Sequence, residues 1–187
     1  MLFGESHDNA FNTINIQHII EEYEKIGLFS HLSSDEITSA KICARETEID
    51  SYQSILFCFP KTIVFFDWES ANLENPYEEL TVDFSEASRG AFKPQNIIDD
   101  FKNAFNTEKI EYGFEFNGKI YHRDLTAQSD WLDPQFMELI DIALKENKVD
   151  GAIYYCMDDG QAAGFIFLNE KQYAYLKAHQ PALFPGR

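Results

Sequence analysis

The Asn117-Gly118 dipeptide constrains the fold most, because it lies between two runs of alternating apolar and polar residues, 109–116 and 119–125. A two-residue Asn-Gly loop favours a type I′ turn, in which both positions adopt positive φ and the turn matches the natural twist of paired strands. Such a turn sets the register of a β-hairpin. The predicted opposed pairs are Phe116–Lys119, Phe114–Tyr121, Tyr112–Arg123 and Ile110–Leu125, which leaves one face largely apolar and directed at a core.

Hydrophobic periodicity predicts the remaining elements. Apolar residues at helical spacing predict helices over 15–26, 94–105 and 134–144, and a capping box predicts another after Asn169. Thr62–Phe66 has the β-branched and aromatic content of a buried strand. Less regular patterns predict a short strand at Ala40–Arg45 and a helix that begins near Pro76. They also predict a second hairpin over 152–168 with Asp159-Gly160 at its tip. In this hairpin Cys156 lies opposite Ala163, and both strands are covered on both faces.

These elements predict the fold class. The second half has the order β-β-α-β-β-α, which indicates an α+β fold with a mostly antiparallel sheet, built from the hairpins at about 110–125 and 152–168, with helices packed on it. At 187 residues the chain is predicted to form a single domain, 1–187. Its N-terminal half, 1–107, is helix-rich, and its C-terminal half is 108–187.

Net charge restricts the partners. Lys and Arg total 15 against 32 Asp and Glu, so the formal charge is 15 − 32 = −17. Because phosphate backbones and anionic lipid surfaces are bound through Lys and Arg, we predict neither a nucleic-acid nor a membrane partner. An acidic surface instead favours rapid association with a basic protein. Solubility alone is the other explanation of the acidity.

The three cysteines, Cys43, Cys58 and Cys156, are widely spaced and lie in apolar runs. The sequence therefore predicts no disulfide framework, and without a Cys-x-x-Cys pair it predicts no zinc or redox site. The N-terminus lacks the features of a secretory leader, and no run approaches the roughly 18 apolar residues of a membrane span. We therefore expect a reduced, cytoplasmic protein.

The sequence lacks the common motifs for cofactors and metals. Neither a Gly-x-Gly-x-x-Gly nor a Walker-type Gly-Lys-Ser/Thr motif occurs, and His-Glu-x-x-His is missing too. We therefore predict no cofactor, no metal and no catalytic residue. Cys156 with His122 and Asp158 would supply a nucleophile, a base and an orienting group, but a buried strand position makes the thiol inert. Asp158-Asp159 with Gln161 offers cation ligands, although an Asp-Gly hairpin tip already explains these residues.

The most acidic segment follows the strand at Thr62–Phe66. No Lys or Arg occurs in residues 62–88, and aromatic residues lie among the carboxylates. Aromatic anchors surrounded by acidic residues are typical of a surface that binds a basic protein, and a merely solvated face is the alternative. The candidate partner-binding residues are Asp67, Trp68, Glu69, Glu74, Tyr77, Glu78 and Glu79, together with Asp130 and Trp131 in a second such place.

Three successive segments, FEFNGKIY, SDWLDPQFMELIDIAL and DGQAAGFIFLNEKQYAYL, resemble in their layout the C-terminal part of small bacterial immunity proteins of polymorphic or contact-dependent toxin systems. The resemblance covers about residues 110–180. It implies a non-enzymatic cytoplasmic inhibitor that neutralises a cognate toxin, and it assigns no functional residue. An enzyme, a hydrolase or transferase with an unrecognised active site, is the alternative.

Overall fold

The computed structural model describes residues 11–69, 74–106, 108–126 and 131–184. The chain consists of two compact units, 1–60 and 61–187, and the single domain stays a prediction. The boundary lies just after Pro60, and the strand predicted at Thr62–Phe66 therefore belongs to the larger unit.

The smaller unit is helical in its described part. Helix α1 is Thr13–Lys25, α2 is Ser34–Glu46 and α3 is Tyr52–Phe57. Gly27 follows α1 with φ of 75°, the left-handed conformation that glycine commonly adopts just past a helix end. The short strand predicted at Ala40–Arg45 is wrong: a capping box between Ser33 and Glu36 begins α2, and the helix buries Ala40 and Ala44 one turn apart.

The absence of a disulfide framework is also wrong. Cys43 of α2 and Cys58, the residue that ends α3, form a disulfide with a Cα–Cα distance of 5.7 Å. They are 15 residues apart in sequence, and the helical fold brings them together. Sequence spacing does not reveal such a pair, because pairing depends on how the two helices are placed. Cys156 takes no part in this bond and is buried in the other unit.

The larger unit contains two antiparallel sheets of three strands each. The first has the order β1-β6-β5 and the second the order β2-β3-β4. The α+β class is confirmed, but the two predicted hairpins belong to different sheets. The elements are β1 (Ile63–Asp67), α4 (Pro76–Ala87), β2 (Gln95–Asp99), β3 (Lys109–Phe116), β4 (Lys119–Thr126), α5 (Gln135–Glu146), β5 (Ala152–Asp158), β6 (Ala162–Leu168) and α6 (Glu170–His179), with short 3-10 turns at Phe101–Asn106 and Pro181–Leu183.

The first hairpin forms in the predicted register. Asn117 and Gly118 have φ of 51° and 77°, and Phe116 opposes Lys119 directly across the turn. The three other predicted pairs are present as well. The predicted apolar face is buried: Ile110, Tyr112, Phe114, Phe116, Tyr121 and Leu125.

The second hairpin exists, but its predicted register is wrong. The loop at the tip is longer than the predicted two residues, so that Asp158, rather than Cys156, opposes Ala163, and a bulge in β5 at Cys156 then shifts the pairing by one residue. Gly164 faces the bulge, where an added Cβ would lie 2.8 Å from the Cβ of Met157. Only β6 is fully covered, with every residue buried; β5 is an edge strand with half-buried residues.

The helix predicted over 94–105 is wrong. This segment forms β2 and then a 3-10 turn. Asn96 has φ of 49°, which an α-helix does not allow, and Ile98 is paired with Gly113 of β3. The helical spacing of apolar residues was therefore overridden by backbone pairing with β3.

Phe136 of α5 occupies the centre of the larger unit's core. Its ring is fully buried and lies near the rings of Phe66, Tyr77, Phe84 and Tyr112. These partners come from both sheets and from α4, so α5 joins the sheets into one core. Among the described residues, no helix has the length and apolar character needed to cross a membrane.

Candidate partner-binding surface

The structure brings the two predicted aromatic–acidic places together. Strand β1 ends at Asp67, and the following residue pair meets the segment at Trp131 in an antiparallel arrangement, in which Glu69 pairs with Trp131. The Leu132 backbone N–H donates a hydrogen bond of 2.8 Å to the Trp68 carbonyl. Two segments more than 60 residues apart in sequence therefore form one surface.

The two tryptophans have different roles in this surface. Trp68 is half-buried, and its ring contacts the core ring of Phe66 edge to face at 4.9 Å. Its backbone N–H also donates to the Gln161 carbonyl at 3.0 Å, which holds the tip of the β5–β6 hairpin against β1. Trp131 is 41% exposed and is thus the tryptophan that a partner can cover.

Asp67 and Glu69 have exposed side chains, and Glu69 is paired with Trp131. The Asp67 carboxylate accepts a hydrogen bond from the Glu69 backbone N–H at 2.8 Å and another from Gln161 Nε2 at 3.1 Å. The hydrogen bonds hold the carboxylate in place without neutralising it, because both donors are uncharged.

Tyr77 is not a surface anchor, in contrast to the prediction. Its side chain is fully buried, and burial raises its pKa to about 12. The Tyr77 hydroxyl accepts a hydrogen bond of 2.9 Å from the Asp133 backbone N–H. Because Asp133 is two residues from Trp131, this bond ties the start of α4 to the segment that carries the exposed tryptophan.

The start of α4, which Tyr77 links to this segment, carries further carboxylates. Glu74 and Glu79 are exposed and Glu78 is half-buried. The predicted helix start at Pro76 is confirmed, but its cap comes from strand β2: the Asp99 carboxylate accepts hydrogen bonds from the Tyr77 and Glu78 backbone N–H groups at 2.8 and 3.0 Å. We name the set Asp67, Glu69, Glu74, Glu78, Glu79 and Trp131 the acidic corner.

Further carboxylates lie close to one another along α4. Burial raises the pKa of Asp83, and the neighbouring carboxylates of Glu86 and Glu79 raise it further. Glu86 pairs with Lys61 at 2.9 Å, whereas Glu79 makes no ion pair within the described part of the chain. The carboxylates of α4 therefore give its surface a negative electrostatic potential.

The arrangements considered for catalysis and metal binding are not assembled. Cys156 lies in the first sheet, whereas His122 lies in the second, where its Nε2 is 3.4 Å from Glu111. Burial raises the pKa of the Cys156 thiol to about 12. Asp158 and Asp159 accept hydrogen bonds from backbone N–H groups of their own loop. Across the described ranges, no three His, Cys, Asp or Glu side chains are grouped to hold a metal ion.

Sequence reasoning missed two features of the smaller unit. One is the Cys43–Cys58 disulfide. The other is a cavity of about 430 Å³ between α1 and α2, whose walls include the apolar residues Ile16, Ile20, Ala44 and Ile49. Both features depend on the helix α2, which places Cys43 and Ala44 against neighbouring helices, so the strand predicted at Ala40–Arg45 could not indicate them.

Asp130, a predicted contact residue, lies outside the described residues.

The chain matches no protein-family model, and comparisons with curated proteins and with solved structures found no match either.

Proposed function

We propose that this chain is a non-enzymatic, immunity-protein-like inhibitor that binds a basic toxin through the acidic corner. The observation that supports it is the absence of charge compensation. Within the described residues, none of the five carboxylates of the acidic corner makes an ion pair, although acidic residues elsewhere in the chain pair with Lys, Arg or His.

Uncompensated carboxylates around an exposed aromatic ring match the chemistry of a cationic protein surface. The negative potential accelerates encounter with a basic partner, and Trp131 supplies apolar area that stabilises the docked complex. An Arg or Lys side chain of the partner can also lie over the indole ring, since the face of an aromatic ring attracts cations.

Inhibition then requires only coverage of the toxin's active site or of an adjacent surface. In this role the chain works in the cytoplasm that the toxin would otherwise damage.

The toxin is proposed to be the product of a neighbouring gene. The first experiment expresses that product alone and together with this chain in bacterial cells and measures growth. Arrest by the product alone and growth on co-expression are expected, whereas arrest in both cases contradicts the proposal.

Charge reversal then tests the acidic corner. The variant Glu74→Lys/Glu78→Lys/Glu79→Lys is expected to slow association with the purified toxin at least tenfold at low salt, because it inverts the local field. The difference should shrink as the Debye length falls from about 10 Å at 0.1 M salt to about 3 Å at 1 M. Stopped-flow mixing measures the association rate.

A matched control separates local from overall charge. The variant Glu46→Lys/Glu108→Lys/Asp150→Lys changes net charge by the same amount at exposed positions that do not belong to the acidic corner. It should associate at close to the wild-type rate. Equal slowing by both triple variants contradicts a localised binding surface.

Trp131→Ala tests the anchor. Because a covered aromatic residue acts mainly after docking, this variant should raise the dissociation rate by about 30-fold or more, equivalent to about 2 kcal/mol, at any salt concentration. Trp68 is unsuitable for this test because its ring packs on the core. A dissociation rate within twofold of wild type would remove Trp131 from the interface.

A further inference from the structure

The Cys43–Cys58 disulfide lies in the smaller unit, whereas the acidic corner lies in the larger unit. Both cysteines are half-buried, so small thiols and disulfides can reach them, whereas Cys156 is fully buried. Exchange chemistry depends on thiolate access as well as on pKa. The cysteine sulfurs that small thiols can reach are therefore those of Cys43 and Cys58 in the smaller unit.

The segment that Cys58 ends is short, although its Ile55 and Leu56 side chains are fully buried. Helix α3 has only six residues, which is too short for stability on its own. Downstream, the Phe59 ring stacks on Phe29 at 3.7 Å, and the Pro60 carbonyl lies 3.3 Å from His31 Nε2. These contacts connect residues 59–60 to the turn after α1, whereas the disulfide connects α3 to α2.

The unit is also small. A domain of about 60 residues buries only about 60% of the surface that its unfolded chain exposes, and units of this size commonly depend on a covalent link. A disulfide that closes a loop of 15 residues restricts the unfolded chain enough to change an unfolding equilibrium by about a hundredfold.

We propose that Cys43 and Cys58 form a reversible thiol–disulfide couple that controls the stability of the helical unit, with a glutathione-type disulfide as the oxidant. The thiolate of one cysteine attacks the disulfide, forms a mixed disulfide and releases one glutathione thiol. The second cysteine thiolate then attacks the bound cysteine sulfur and releases the second glutathione. Two cysteine thiols are oxidised by two electrons, and one disulfide is reduced to two thiols.

Thiol counting tests the couple in the full-length protein. After incubation with glutathione disulfide, a native sample should expose no reactive thiol, and a denatured sample should expose one, Cys156. After mild reduction, the native sample should expose two thiols and the denatured sample three. Mass spectrometry after alkylation reads the counts, and peptide mapping should identify a Cys43–Cys58 link.

Hydrogen exchange tests the consequence without requiring a variant to fold. On reduction of the wild-type protein, amide protection in α3, Cys58 and Phe59 should fall by about a hundredfold. Protection in β6 should not change, because the larger unit contains no disulfide among its described residues. Failure to form the link, failure to reduce it in the native protein, or unchanged protection in α3 would each overturn the proposal.

Discussion

At Asn117 and Gly118 the backbone has φ of 51° and 77°, a region that β-branched residues avoid. The double variant Asn117→Val/Gly118→Val should therefore be destabilised by about 1–3 kcal/mol per position. No atom lies within 4 Å of a Cβ added at Gly118, so the cost there comes from the backbone conformation and not from a clash. Urea denaturation measures the loss.

Ile120→Val is the matched control for this variant. It places valine in the same hairpin at an exposed strand position, where β-branched residues are favoured. Its free energy of unfolding should remain within about 0.5 kcal/mol of wild type. If both variants have wild-type stability, the turn does not set the register.

Burial of the Cys156 thiol predicts a loss of folding stability at alkaline pH. Burial raises its pKa from 9.0 to about 12 in the folded state, so above about pH 9 the unfolded chain loses a proton that the folded protein keeps. The extra protons bound by the folded state make the free energy of unfolding fall as pH rises, by up to about 1.4 kcal/mol per pH unit.

The measurement compares wild type with Cys156→Ala by denaturation between about pH 9 and pH 10, below the ordinary pKa of the buried Tyr77. The wild-type protein should lose more stability over this interval than the variant. Parallel pH profiles would show that the thiol does not titrate differently in the folded and unfolded states.

Helix α4 begins without a cap from its own chain segment, because Asn75 makes no side-chain capping bond. Asp99 of β2 takes that role and also accepts a hydrogen bond from the Phe101 backbone N–H at 3.0 Å. Asp99→Ala should therefore cost about 1–3 kcal/mol, since three backbone donors lose their acceptor.

Amide exchange locates the effect of this substitution. Protection should fall first in the opening turn of α4, and the exposed Asp150→Ala variant should change little. If Asp99→Ala and Asp150→Ala have equal stability, the bonds from β2 do not hold the helix start.

The whole molecule has a net charge of −17, and the six ion pairs of Lys or Arg with carboxylates among the described residues are mostly exposed. Exposed pairs contribute about 0–1 kcal/mol each, so repulsion between carboxylates should dominate the effect of salt. Sodium chloride should raise the free energy of unfolding as the Debye length falls from about 30 Å at 0.01 M to about 3 Å at 1 M.

The Glu46→Lys/Glu108→Lys/Asp150→Lys variant is the control here too. Its net charge is −17 + 6 = −11, and its stability should respond less to sodium chloride. A decrease in wild-type stability with salt would show that attractive pairs outweigh repulsion.

Local chemistry made part of this structure predictable. The Asn117-Gly118 turn, the helix after Asn169 and the apolar stripe of α5 each depend on residues a few positions apart, so the sequence alone determined them. The α+β class followed from their order. The helix predicted over 94–105 failed for the opposite reason: β2 exists because of hydrogen bonds to β3.

Only the tertiary structure decided which distant residues meet. It placed the two hairpins in separate sheets, shifted the second register through a longer loop and a bulge at Cys156, and paired Cys43 with Cys58. It also separated the predicted contact residues, burying Tyr77 while leaving Trp131 exposed beside Glu69. Turn conformation and helical periodicity act over a few residues, whereas burial and pairing depend on the packing of segments that are remote in sequence.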